Sequence, residues 1–145
     1  MDKPNAKSHI GDVKTLIVGV DLTEESRNLV REATQLADKL GAKLVLAHII
    51  PIDPSIELSL TMALPLGGSE AEKERKNEVR DFYKVSAEVE VRFGRADDEI
   101  NHMASKYENP LILVGHSSKG WLEKLVAGSV SKSLATHFDK PVLIF

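Results

Sequence analysis

The residues best suited to chemistry are the carboxylate of Asp21 and the glycine- and serine-rich stretch from Gly115 to Ser129. Asp21 follows the apolar run Thr15-Leu16-Ile17-Val18-Gly19-Val20. A carboxylate at the end of a buried strand accepts hydrogen bonds from a ligand at that sheet edge, caps the next helix or simply faces solvent. Gly115 leaves a second apolar run, Pro110-Leu111-Ile112-Leu113-Val114, and lets backbone approach a ligand closely. Gly128-Ser129 precedes a helical segment whose free N–H groups suit an anion. Ser117, Ser118 and Ser129 add hydroxyl donors and Lys119 a charge, a set that fits a phosphate chain. The alternative is that Gly115 and Gly128 are turn glycines and the serines a solvated loop.

Several chemistries are excluded. Gly120 is followed by Trp121, so the lysine and hydroxyl of a P-loop are missing, and Val18-Gly19-Val20-Asp21 lacks the dinucleotide fingerprint. The chain has no cysteine, which removes disulfides, thiol catalysis, cysteine zinc sites and iron–sulfur clusters. His9, His48, His102, His116 and His137 form no pair at ligand spacing with a carboxylate, so no metal site is expected. His48, between Ala47 and Ile49, reads as a satisfied core histidine. His116 lies beside the glycine stretch without a partner carboxylate or nucleophile, so no catalytic residue is assigned. Beyond Lys119 there is no arginine finger, base or metal carboxylate near the loop, which argues against an efficient phosphoryl-transfer enzyme. Trp121 with Leu122, Leu125 and Val126 reads as a hydrophobic flap.

The positioning elements alternate in type. After the first apolar run, Thr23 N-caps a helix with Glu24 and Glu25 in its first turn. Leu29, Ala33, Leu36, Ala37 and Leu40 form its apolar face, and Gly41 ends it. Leu44 to Ile50 is a second buried strand, stopped by Pro51 and Pro54. Pro51 to Gly68 reads as a long loop. Ser69 opens a polar helix, Glu70 to about Tyr83, with only Val79, Phe82 and Tyr83 apolar; its charge run to Arg80 reads as a solvated face. Val85, Ala87, Val89, Val91 and Phe93 alternate with polar residues, as in a half-buried edge strand. Gly94 turns the chain, and Asp97 or Asp98 caps a helix carrying Ile100, Met103, Ala104 and Tyr107. Pro110 to Val114 is another buried strand. A last helix follows Gly128-Ser129, and Pro141 to Phe145 is the final strand. Strands alternating with helices point to a parallel sheet covered on both faces, with any ligand beyond the strands' carboxyl ends.

The 145 residues, 42% hydrophobic and 28% charged, fit one globular domain. A formal charge of -3 provides no bulk field toward nucleic acid or an anionic membrane, so neither is an expected partner. No apolar run approaches the roughly 20 residues of a membrane span. Residues 1–13 read as a flexible arm without the apolar middle of a signal peptide, which implies a cytoplasmic chain. Val142 to Phe145 is apolar and uncovered, so a homodimer through that strand is expected.

From about Lys14 to Phe145 the chain resembles the universal stress protein family. The resemblance lies in Leu16-Ile17-Val18-Gly19-Val20-Asp21 with Thr23-Glu24-Glu25-Ser26, and in Gly41-Ala42-Lys43-Leu44 leading to His48-Ile49. It is most specific in Leu113-Val114-Gly115, Gly128-Ser129-Val130-Ser131 and Lys140-Pro141-Val142-Leu143-Ile144. It implies an α/β fold, an open five-stranded parallel sheet of order 3-2-1-4-5 with helices on both faces, adenine nucleotide alpha hydrolase-like. Family members with the pattern Gly-x2-Gly-x9-Gly-Ser/Thr bind ATP. Carried over by position, Asp21 would contact ribose or adenine, the backbone of Ile49 the adenine, and Gly115 the ribose. Ser118, Gly128 and Ser129 would meet the phosphates, with Mg²⁺ accompanying ATP. Ser118 stands where the pattern has its second glycine, and a Cβ there hinders both a positive φ and close phosphate approach. Gly115-His116 with a nearby tryptophan also resembles the universal stress protein A branch, not noted for ATP binding. Three functions follow from the resemblance: a dimeric nucleotide-binding stress regulator, a nucleotide-free dimeric interaction module, or a slow ATPase.

Overall fold

The first apolar run forms strand β1 (Thr15–Val20) in a computed structural model that describes residues 12–51, 70–115 and 138–145. All six of its residues are buried, because helices cover both faces of the sheet. Helix α1 (Glu24–Leu40) follows. Thr23 caps it in a reciprocal box: the Ser26 N–H donates to Thr23 Oγ1 (3.3 Å), and the Thr23 N–H donates to Ser26 Oγ (3.2 Å). Gly41 closes it at φ 64, in the left-handed region a side chain resists. Strand β2 (Lys43–Ile50) is buried from Leu44 to Ile49.

Helix α2 (Glu70–Tyr83) buries only Val79 and Tyr83, so most of it faces solvent as its charge run implies. Strand β3 (Glu88–Phe93) starts later than the alternation from Val85 suggests, since its ladder with β2 begins at the Val45–Glu88 pair. Helix α3 (Ala96–Ala104) departs from expectation at both ends. Neither Asp97 nor Asp98 caps it: Arg95 occupies the N-cap with no side-chain cap bond. Asp97 sits buried inside the first turn, where its Oδ1 accepts from Asp98 N–H (2.9 Å) and Arg95 Nε–H (2.7 Å). The carboxylate still faces the positive helix end, one step later than a cap would. Tyr107 lies beyond the helix, and its hydroxyl is shared between Glu88 and Glu90 of β3.

Strands β4 (Pro110–Val114) and β5 (Val142–Ile144) complete a five-stranded parallel sheet of order β3-β2-β1-β4-β5. Alternate residues feed two cores. Leu16, Val18, Leu46 and Leu113 pack toward α1 and α2 with Leu29, Ala33 and Val79. Ile17, Val45, Ile49 and Ile112 pack toward α3 with Ile100, Met103 and Phe138. Each fully buried Leu or Ile contributes about 1.5–3 kcal/mol relative to leaving it exposed. At the far end of the sheet, Leu143 (43% exposed) and Phe145 (51%) are the exposed large apolar side chains among the described residues. The arm through residue 11, the loop beyond Pro51, the Ser69 helix start, Trp121 and the helix after Gly128-Ser129 lie outside the described residues.

A methyl group added at Gly41 would meet nothing within 4 Å, so only the backbone conformation resists substitution. Gly41→Ala should therefore lower stability by about 1 kcal/mol. Urea denaturation would show this as a lower midpoint with an unchanged slope.

Candidate functional site

The sheet register gathers the expected residues at one rim. Val20 pairs with His48, so Asp21, one residue on, comes level with Ile49. Val18 pairs with Leu113, so Gly115 comes level with Val20. Asp21, Ile49 and Gly115 thus stand at the carboxyl ends of three adjacent strands, β1, β2 and β4. From β1 the chain first builds outward through β2 to β3, then crosses to the other side for β4 and β5. In open parallel sheets a reversal of this kind marks the crevice where ligands bind. The Ile49 side chain is buried in the second core, so only its backbone is available at the rim. Ser118, Gly128 and Ser129 lie outside the described residues.

Asp21 is split between two environments. Its Oδ1 accepts from the Thr23 hydroxyl (2.6 Å) and the Thr23 N–H (3.2 Å). Its Oδ2 is buried and has no hydrogen-bond donor among the described residues. Buried acceptors are nearly always paired, and an unpaired one costs about 1–3 kcal/mol. One oxygen of the carboxylate therefore braces the turn into α1, where Thr23 is the cap, and the other has no donor among the described residues.

The turn itself is strained. Leu22 adopts φ 61, a left-handed conformation that costs a side-chain-bearing residue about 1–3 kcal/mol. Its N–H donates to the hydroxyl of Tyr83, at the end of α2 (2.8 Å). Ser26 Oγ donates to the Thr23 carbonyl (2.6 Å), which can only accept. The short Tyr83–Ser26 contact (2.6 Å) must then use the Tyr83 proton. The order of donation is Leu22 N–H to Tyr83, Tyr83 to Ser26, and Ser26 to Thr23. Burial pushes the Tyr83 phenol above its ordinary range, against the pull of its hydrogen bonds to Ser26 and Leu22, so it stays protonated. Glu24 and Glu25 occupy the first turn of α1, where their charge offsets the positive helix end. Neither Tyr83 nor Ser26 carries a sequence signal for this role; Leu22 and Tyr83 stand 61 residues apart.

His48 lies just inside the rim, 8% exposed, and its Nδ1–H donates to the Val20 carbonyl (3.1 Å). The carbonyl fixes the tautomer, since it cannot donate. Burial, opposed by that hydrogen bond, lowers the His48 pKa below 6.5. It is the satisfied core histidine the sequence suggested; His116 lies outside the described residues.

Clefts open elsewhere among the described residues. One, of about 470 Å³, runs between α1 and the end of α2, lined by Arg27, Arg31, Phe82 and Lys84 among others. Another, of about 460 Å³, lies by the end of β3, with Glu72, Lys76, Glu90 and Arg92. Neither is lined by Asp21, Ile49 or Gly115. Among the described residues no group of three His, Asp or Glu side chains is placed to hold a metal ion, and no helix is long and apolar enough to cross a membrane.

Comparison with known proteins agrees with this architecture. The model of the universal stress protein family matches residues 12–145. Universal stress protein MJ0531 of Methanocaldococcus jannaschii is 24% identical over 138 residues, covering 90% of this chain and 81% of its own. A universal stress protein solved in complex with cAMP superposes with a TM-score of 0.58 at 24% identity, covering 92% of this chain and 97% of the other. The universal stress protein from Archaeoglobus fulgidus, solved with dAMP, superposes at 0.53 and 20% identity, with coverages of 92% and 98%. The shared architecture is the adenine nucleotide alpha hydrolase-like fold.

His48 gives the fold a pH dependence of definite sign. Its folded pKa lies below the unfolded 6.5, so the unfolded chain takes up the proton first. Its contribution is complete above pH 6.5 and is lost as pH falls through the folded pKa. Urea unfolding between about pH 5 and pH 7.5 should show stability rising with pH. His48→Asn, whose amide nitrogen replaces Nδ1, should flatten that slope; an unchanged slope would assign it to other groups.

Proposed function

This chain belongs to the universal stress protein family, and from that premise we propose that it is a cytoplasmic, dimeric stress-response protein that binds an adenine nucleotide, with ATP as the reference ligand. The observation that carries the reading is the buried Asp21 Oδ2, an acceptor without a donor among the described residues, at the rim where the strand order reverses. A ribose hydroxyl or an adenine amine supplies the missing donor. In this reading the backbone of Ile49 meets the adenine and Gly115 lets the ribose approach. Ser118, Gly128 and Ser129 receive the phosphates, and Mg²⁺ arrives with ATP. The relatives solved with cAMP and dAMP support an adenine nucleotide as the ligand class.

The protein's work is binding rather than turnover. Asp21 is committed to orienting a ligand, and no general base or arginine finger is assigned near the crevice. A slow ATPase is the weaker form of the same site, and Gly128→Asp, which sets a negative charge at the phosphate position, would abolish it.

A second reading rests on Ser118, a side chain where the nucleotide pattern has glycine. There the domain is a nucleotide-free dimeric module of the universal stress protein A type. Mass spectrometry of the native protein separates the two, since a tight binder retains adenine nucleotide through purification.

Calorimetry with ATP and Mg²⁺ should show binding and thermal stabilisation. Asp21→Ala should weaken it about tenfold or more, because a hydrogen bond to a charged acceptor is lost. Ser118→Gly should strengthen it. Absence of both heat and stabilisation would refute the nucleotide reading. The dimer reading follows from the apolar, exposed Leu143 and Phe145 on an end strand, which an antiparallel copy of β5 would cover. Sedimentation should give a dimer at micromolar concentration, dissociated by Leu143→Lys; a monomer would reject it.

A further inference from the structure

We propose that Tyr83 is a positioning residue for Asp21: from the end of α2 its hydroxyl holds the turn after β1 in the left-handed form that leaves Asp21 Oδ2 free for a ligand. The proposal rests on the nucleotide reading above and extends it to the end of α2.

The chain of contacts is continuous. Leu22 at φ 61 reverses the backbone between β1 and the cap of α1. Only with that reversal do the Thr23 N–H and hydroxyl turn back onto Asp21 Oδ1. The conformation is unfavourable for leucine, so something outside the turn must hold it. Tyr83 does so at two points. It accepts the Leu22 N–H before the cap, and it donates to Ser26, which holds the Thr23 carbonyl. Tyr83 is 7% exposed, so water does not readily replace its hydroxyl at either point. Its ring is fixed by an edge-on contact with Phe82 (centroids 4.8 Å apart), which in turn carries the Arg27 guanidinium 4.0 Å above its face. Since α2 buries only Val79 and Tyr83, the same ring docks the helix and sets the turn. Docking of α2 and presentation of Asp21 are therefore one event.

The test uses the full chain with Mg-ATP and isothermal calorimetry, reading Kd and stoichiometry separately. Tyr83→Phe keeps the ring packing and removes the hydroxyl. It should raise Kd roughly tenfold at unchanged stoichiometry. Leu22→Gly in that background should recover most of the affinity, because glycine takes a positive φ freely. A purely structural tyrosine behaves otherwise: stoichiometry falls with the unfolded fraction, Kd stays, and glycine rescues nothing. Unchanged Kd in Tyr83→Phe, or a raised Kd without rescue, would overturn the proposal. Should the unmodified chain bind no nucleotide, the ligand reading fails on its own, and amide exchange decides the clamp. Exchange at Leu22 should then be roughly tenfold faster in Tyr83→Phe, with α1 unaffected. Equal exchange would overturn the clamp.

Discussion

The way β1 ends governs the rest of the rim. A strand buried on both faces stops where the next side chain can no longer be apolar, and here that residue is Asp21. The parallel register places it level with the outer part of β2 and beside the end of β4. One carboxylate then serves the turn through a single oxygen, because Thr23 takes only Oδ1 and leaves Oδ2 without a donor among the described residues.

Two unfavourable terms gather at this spot, a buried acceptor without a donor among the described residues and a leucine in a left-handed conformation. Each costs on the order of 1–3 kcal/mol. Such terms persist only where the surroundings over-determine the geometry. Here β1 is locked between β2 and β4 with every residue buried, α1 is capped at both ends, and Tyr83 crosses from α2 to hold the turn. A donor brought to Asp21 Oδ2 would relieve one of the two terms, which is the physical reason for the proposal of a site at this position.

Much of the fold was legible in the sequence. The apolar runs of β1, β2 and β4 read as strands buried on both faces, and Thr23 and Gly41 marked the ends of α1 correctly. The strand order came from family likeness, since spacing alone leaves several right-handed topologies open. Where local pattern and tertiary context competed, context won. Val85 and Ala87 continue the alternation of β3 but lie outside its ladder, and Asp97 turned inward to Arg95 instead of capping α3. Asp21, Ile49 and Gly115 were found as candidates because strand ends are local features. Tyr83 was not, because its role depends on a contact across 61 residues that no local spacing encodes.

The most direct measurement is an NMR titration of the ¹⁵N-labelled chain with an adenine nucleotide. The account predicts amide shifts concentrated at Asp21 to Thr23, Ile49, Ile50 and Gly115, with the Asp21 carboxylate carbon among the largest movers. Shifts confined to the cleft of Arg27, Arg31 and Lys84, or no shifts at saturating nucleotide, would contradict it.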